Sequence, residues 1–105
     1  MQIQLHATPG LDLSRDLGHW VEQRLAATLD RFAPRMTRVA VHLTDHNGPK
    51  HGAHDKRCLL EARIAGRPPV AVSHEAPTVQ RAVEGAIGRL ERALAHVLAR
   101  QFAQH

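Results

Sequence analysis

The feature that most constrains this chain is a change in the period of its apolar residues. Over about 14–33, Leu17, Val21, Leu25, Leu29 and Phe32 recur at helical spacing. Over 37–45, Val39, Val41 and Leu43 alternate with Arg38, Ala40, His42 and Thr44, and over 56–64 Cys58, Leu60, Ala62 and Ile64 do the same with their neighbours. The helical period then returns in Val79, Val83, Ala86, Ile87, Leu90, Leu94, Val97 and Leu98. A 3.6-residue period puts one stripe of a helix against a core, and a period of two puts one face of a strand against it. Each element therefore has one side to bury, and the partners must come from the other elements.

The boundaries between these segments carry their own chemistry. Ile3 and Leu5 share one side of a short strand at 2–6, which Thr8-Pro9-Gly10 breaks. Ser14 is placed to cap the first helix, with Asp16 in its first turn where a carboxylate suits the helix dipole, and Pro34 ends it. The stretch Asp45–His54 is polar, with two Gly and a Pro, and reads as a flexible connection. Gly66-Arg67-Pro68-Pro69 turns the chain into a short strand at 70–74, and the two prolines beside it place that strand at a sheet edge. Thr78 caps the second helix, in which Gly85 and Gly88 allow close packing against the first helix or the sheet.

The resulting order is β-α-β-β-β-α in one domain spanning 1–105. The first two strands are joined through a helix, which makes that pair parallel; the next two connections are hairpins. The simplest solution is an α+β two-layer sandwich, with both helices on one face of a four-stranded mixed sheet and the other face in solvent.

Composition narrows what such a domain can do. Trp20, Phe32 and Phe102 are the only aromatics besides histidine, so a sheet that stacks bases on exposed rings is excluded. The formal charge is +4, the pI is near 10.6, and only Lys50 and Lys56 of the 14 basic residues are Lys. Arginine forks onto phosphate oxygens, so the balance suits a polyanion. The single cysteine, Cys58, rules out an intrachain disulfide and a Cys-based metal cluster. No apolar run approaches the ~20 residues of a membrane span, and the N-terminus lacks the features of a signal peptide, so the cytoplasm is the expected location. His42, His46, His51 and His54 lie in or beside one loop, with His6 on the neighbouring strand, but they show no ligand spacing that fixes a metal. No phosphate loop, nucleophile elbow or matched acid–base pair is present, so neither an enzyme, a cofactor nor a small-molecule substrate is expected.

The basic residues fall into two groups. Arg81, Arg89, Arg92, His96 and Arg100 lie off the apolar stripe of the second helix. From Arg89 the steps are three, four and four residues, which stack these side chains along one exposed side. Only Glu84 and Glu91 offset them. A row at that pitch can track a phosphate backbone, although a solvated helix face has the same spacing. The second group comprises Arg35 and Arg38 at the start of the second strand, Arg57 and Arg63 on the third, and Arg67 in the turn. Arg57, Glu61 and Arg63 share one strand face, where cross-strand salt bridging is the expectation.

Three segments carry a family resemblance: Leu29-Asp-Arg-Phe-Ala-Pro-Arg-Met-Thr-Arg-Val-Ala-Val-His-Leu43, Asp55-Lys-Arg-Cys-Leu-Leu-Glu-Ala-Arg63, and Ala82-Val-Glu-Gly-Ala-Ile-Gly-Arg-Leu-Glu-Arg-Ala-Leu94. In order and spacing they resemble the short form of the ribosome hibernation-promoting factor and ribosome-associated inhibitor family, also called sigma-54 modulation proteins. The resemblance implies a shape like that of double-stranded-RNA-binding domains. It further implies a factor active in stress, which binds rRNA of the small ribosomal subunit and occludes its mRNA and tRNA channel. By position, Arg89 and Arg92 match basic residues of the family's last helix, His96 stands where a Lys is common, and Arg35 matches a basic residue before the second strand. The tail departs from the pattern, with Arg100 alone where relatives are Lys-rich, and the first helix carries fewer exposed basic residues. The expectation is thus a monomeric, rRNA-binding translation inhibitor. The alternative is a regulatory protein-interaction module that keeps the fold and no longer binds ribosomes tightly.

Overall fold

A computed structural model describes residues 1–9, 11, 13–45 and 55–103, the last four of these as backbone alone. Its elements are β1 (Gln2–Ala7), α1 (Arg15–Leu29), a 3₁₀ segment (Asp30–Arg35), β2 (Met36–Asp45), β3 (Lys56–Ile64), β4 (Val70–Ala76) and α2 (Val79–Ala103). The strands lie in the order β1-β2-β3-β4, with β1 parallel to β2 and the other two pairs antiparallel. This is the expected α+β arrangement and strand order. The expected connection at 46–54 lies outside the described residues.

The helix starts follow the capping chemistry. The Leu17 N–H donates to Ser14 Oγ at 3.1 Å, and the Arg81 N–H donates to Thr78 Oγ1 at 3.1 Å. The end of the first helix differs from the reading of 14–33. The α-helix closes at Leu29, and the chain tightens into the 3₁₀ segment, which holds Pro34 inside it. The tighter winding still buries Phe32, which is why the apolar period ran on beyond the α-helix. The Arg31 guanidinium lies 4.4 Å above the Phe32 ring and covers it. Strand β4 runs on to Ala76, two residues past the expected end, and buries that side chain.

The core is aliphatic. Leu25 and Leu29 from α1, Val39, Val41 and Leu43 from β2, Cys58 and Leu60 from β3, and Val83, Leu90 and Leu94 from α2 are all essentially inaccessible. The register places Val39 beside Ile3 and Ala62, and Val41 beside Leu5 and Leu60, so one sheet face is apolar across β1, β2 and β3. Trp20 is half-buried and packs against this core.

The two helical glycines differ in role. Helix α2 packs over β3 and β4, and a Cβ at Gly85 would fall inside the imidazole of His74 on β4. A Cβ at Gly88 would meet only the flexible end of Arg92, at 3.4 Å. Only Gly85 is needed for close approach, and the surface it approaches is the sheet. Gly88→Ala is therefore expected to gain about 0.5–1 kcal/mol from helix propensity. Gly85→Ala is expected to lower the melting temperature, and His74→Ala in the same chain to recover part of the loss; chemical denaturation of the four proteins checks this.

Candidate nucleic-acid interface

Helix α2 has three sides. Ala82, Val83, Ala86, Ile87, Leu90, Leu94 and Leu98 are buried against the sheet and α1. Glu84 meets Arg24 of α1 at 3.9 Å, and Glu91 meets Arg31 of the 3₁₀ segment at 3.8 Å. Arg81, Arg89, Arg92 and His96 occupy the remaining side and are exposed. The two acids that the sequence set against the basic row are thus engaged with α1 and the 3₁₀ segment that follows it. Among the described residues, no carboxylate forms an ion pair with Arg81, Arg89 or Arg92. These exposed pairs contribute little to stability. Their effect is to separate charge across the helix.

The other expected contact residues are distributed around this row. Arg35 lies across a groove of about 410 Å³ from Ala95, Leu98 and Ala99, beside the later turns of α2. Arg100 belongs to α2, and its side chain lies outside the described part. Arg38 is not brought to this surface: it leaves β2 on the face of the sheet opposite the core, half-buried. The structure therefore joins Arg81, Arg89, Arg92 and His96, sets Arg35 at the margin and separates Arg38.

Sequence reasoning missed the residues that border the row. A groove of about 390 Å³ runs between the β4 edge and α2, lined by Ser73, His74, Glu75 and Arg89. It depends on the β4 register and the rotation of α2, neither of which is written in local periodicity. On the open sheet face, the parallel register sets His6 beside His42, and their rings stack with centroids 4.9 Å apart. No group of three or more metal-ligating side chains occurs among the described residues, and His46, His51 and His54 lie outside them. The expected salt bridging of Arg57, Glu61 and Arg63 is corrected. Arg63 faces Arg38, Glu61 faces Ala40 and Ala71, and Arg57 stands opposite Glu75 without closing an ion pair with it. No ion pair joins them among the described residues.

Two further titratable groups have clear environments. Lys56 lies between Asp55 (3.0 Å) and Asp45 (3.2 Å), closing the base of the β2–β3 connection, and its hydrogen bonds to Asp55 and then Asp45 raise its pKa against a smaller opposing effect of burial. Cys58 is buried, and burial pushes its thiol up to about 12. At neutral pH it is a packed, protonated side chain and not a thiolate nucleophile. It should resist a thiol reagent such as DTNB until the protein unfolds. Because its pKa is raised on folding, the stability it contributes is complete below pH 9 and is lost as pH rises from 9.0 toward about 12, which urea titrations across that range would detect.

Fold and surface together define a class: a small α+β domain whose long helix presents Arg81, Arg89, Arg92 and His96 on one exposed side. The profile of the family described as "Sigma 54 modulation protein / S30EA ribosomal protein" matches residues 3–101. The chain belongs to this family of ribosome-associated modulation factors, which are not known as enzymes. Two solved structures share the fold. A ribosomal subunit interface protein from Coxiella burnetii aligns with a TM-score of 0.74 at 18% identity, covering 94% of this chain and 99% of that one. The N-terminal domain of Protein Y from Thermus thermophilus aligns with a TM-score of 0.74 at 24% identity, covering 92% and 99%. No curated protein matches the chain at the sequence level. No helix among the described residues is long and apolar enough to cross a membrane.

Proposed function

We propose that this chain is a ribosome-binding hibernation and translation-inhibiting factor, acting as a single cytoplasmic domain over 1–105. Its partner is the small subunit, and its mechanism is occlusion: the folded domain fills the mRNA and tRNA channel, held by basic side chains on rRNA phosphates. The observation that carries the reading is the segregation of charge on α2, with Glu84 paired to Arg24 of α1, Glu91 paired to Arg31 of the 3₁₀ segment, and Arg81, Arg89, Arg92 and His96 together on another side. Membership of a ribosome-associated family supports the choice of partner. Arg100 extends the row by sequence, Arg35 flanks it, and Arg38 supplies a contact from the sheet.

Occlusion requires no chemistry, only enough phosphate contacts to outcompete the ligands of the channel. Such contacts are sequence-independent, and hydrogen bonds between ionised groups are stronger than neutral ones. A monomer suffices, because the row lies on one copy of the chain.

The test is reversal of the row. Arg89→Glu with Arg92→Glu should abolish co-sedimentation with small subunits in sucrose gradients while leaving the circular dichroism spectrum and melting temperature close to wild type, because both positions are exposed. Undiminished co-sedimentation would sink the proposal. Absence of ribosome association in the wild-type chain would favour a regulatory protein-interaction module instead.

A further inference from the structure

On the open face of the sheet, Arg38 of β2 and Arg63 of β3 stand directly opposite one another. Opposed side chains in an antiparallel pair have Cβ atoms about 4.5–5.5 Å apart, and like charges there repel. Neither guanidinium has an ion-pair partner among the described residues. Arg38 is half-buried, and its Nε is sealed from solvent without a hydrogen-bond acceptor. A repelling pair with an unsatisfied buried donor is unfavourable for the isolated fold.

The pair is also specifically constructed. Met36 pairs with Ile64 and Arg38 with Arg63, so β2 spends one extra residue, Thr37, where β3 spends none. Without that bulge, residues 36 and 38 would point to the same face. With it, Met36 enters the core at 4% exposure and Arg38 leaves on the other side. The Thr37 hydroxyl donates to the Arg63 carbonyl at 3.4 Å, tying the extra residue to the strand that carries the second guanidinium. Bulges of this kind re-aim side chains and are common beside functional sites.

We infer that Arg38 and Arg63 form a clamp for a phosphate group on the open face of the sheet, distinct from the basic row of α2. An anion between the guanidiniums converts their repulsion into attraction. Planar guanidinium forks suit the tetrahedral oxygens of a phosphate better than lysines would. The group is either the terminal phosphate of a free diphosphate or an internal phosphodiester of RNA. In the second case, which rests on the sheet contact proposed above for Arg38, the sheet grips a segment of nucleic acid on the side of the molecule away from the helices.

The Arg Nε–Hε resonances of ¹⁵N-labelled protein read the clamp directly. The experiment uses the chain carrying Arg89→Glu and Arg92→Glu, so that α2 contributes little, at ionic strength held constant with chloride. One arm adds pyrophosphate; the other adds a short RNA lacking terminal phosphates. The Arg38 and Arg63 Hε resonances should move together and the melting temperature should rise. Adding Arg63→Gln should weaken binding roughly tenfold or more and raise the melting temperature of the anion-free protein. A response to pyrophosphate alone identifies a free phosphate as ligand, and a response to RNA identifies the nucleic-acid backbone. If neither probe moves these resonances, or if Arg63→Gln leaves the response unchanged, the clamp is refuted. The measurement involves no ribosome, so its outcome is separable from that of the proposed function.

Discussion

The approach of α2 to the sheet at Gly85 governs the rest of the molecule. The imidazole of His74 occupies the space that a side chain at position 85 would need, so the helix lies against β4 at this point only because position 85 is glycine. In this packing Ala82, Val83, Ala86, Ile87 and Leu90 point inward, Glu84 and Glu91 face α1 and the 3₁₀ segment, and Arg81, Arg89, Arg92 and His96 lie outside. A glycine weakens a helix interior, and here the cost is offset by apolar burial along the stripe. The packing contact and the basic surface are thus two consequences of one geometric fit.

Charge on this protein is sorted by neighbourhood more than by amount. The net charge of +4 is modest for a partner as acidic as the rRNA proposed above. Pairing Arg24 with Glu84 and Arg31 with Glu91 neutralises the seam between the helices. The remaining cations of α2 form no ion pair among the described residues, and a local field of one sign attracts a polyanion more effectively than the net charge suggests. The β2 bulge applies a comparable device to the other layer, turning Arg38 away from the core to face Arg63.

Much of this was legible in the sequence because each strand buries one face and each helix one stripe. The apolar periods gave the element order, Ser14 and Thr78 marked the helix starts, and the parallel first pair followed from the helical crossover. The row on α2 was legible for the same reason, since spacing within a helix fixes which side chains share a side. What escaped was set by tertiary register. The apolar signal of Phe32 could not distinguish an α-helix from the 3₁₀ segment that follows it. Met36 is out of phase with Val39, and only the bulge at Thr37 reconciles the two. The expectation that Arg63 would find an acid failed because register, and not composition along β3, decides what stands opposite. Spacing along α2 sets Glu84 and Glu91 against the basic row, whereas Arg24 of α1 and Arg31 of the 3₁₀ segment engage them.

The central claim is that a small set of arginines on one side of α2 holds the ribosome through phosphate contacts. The dependence of small-subunit affinity on salt measures this most directly, because each phosphate neutralised releases counterions. Log affinity should fall linearly with log salt, and the slope should flatten by roughly 0.7–0.9 for each arginine of the row replaced by glutamine. Binding that is insensitive to salt, or a slope that Arg89→Gln and Arg92→Gln leave unchanged, would contradict the account.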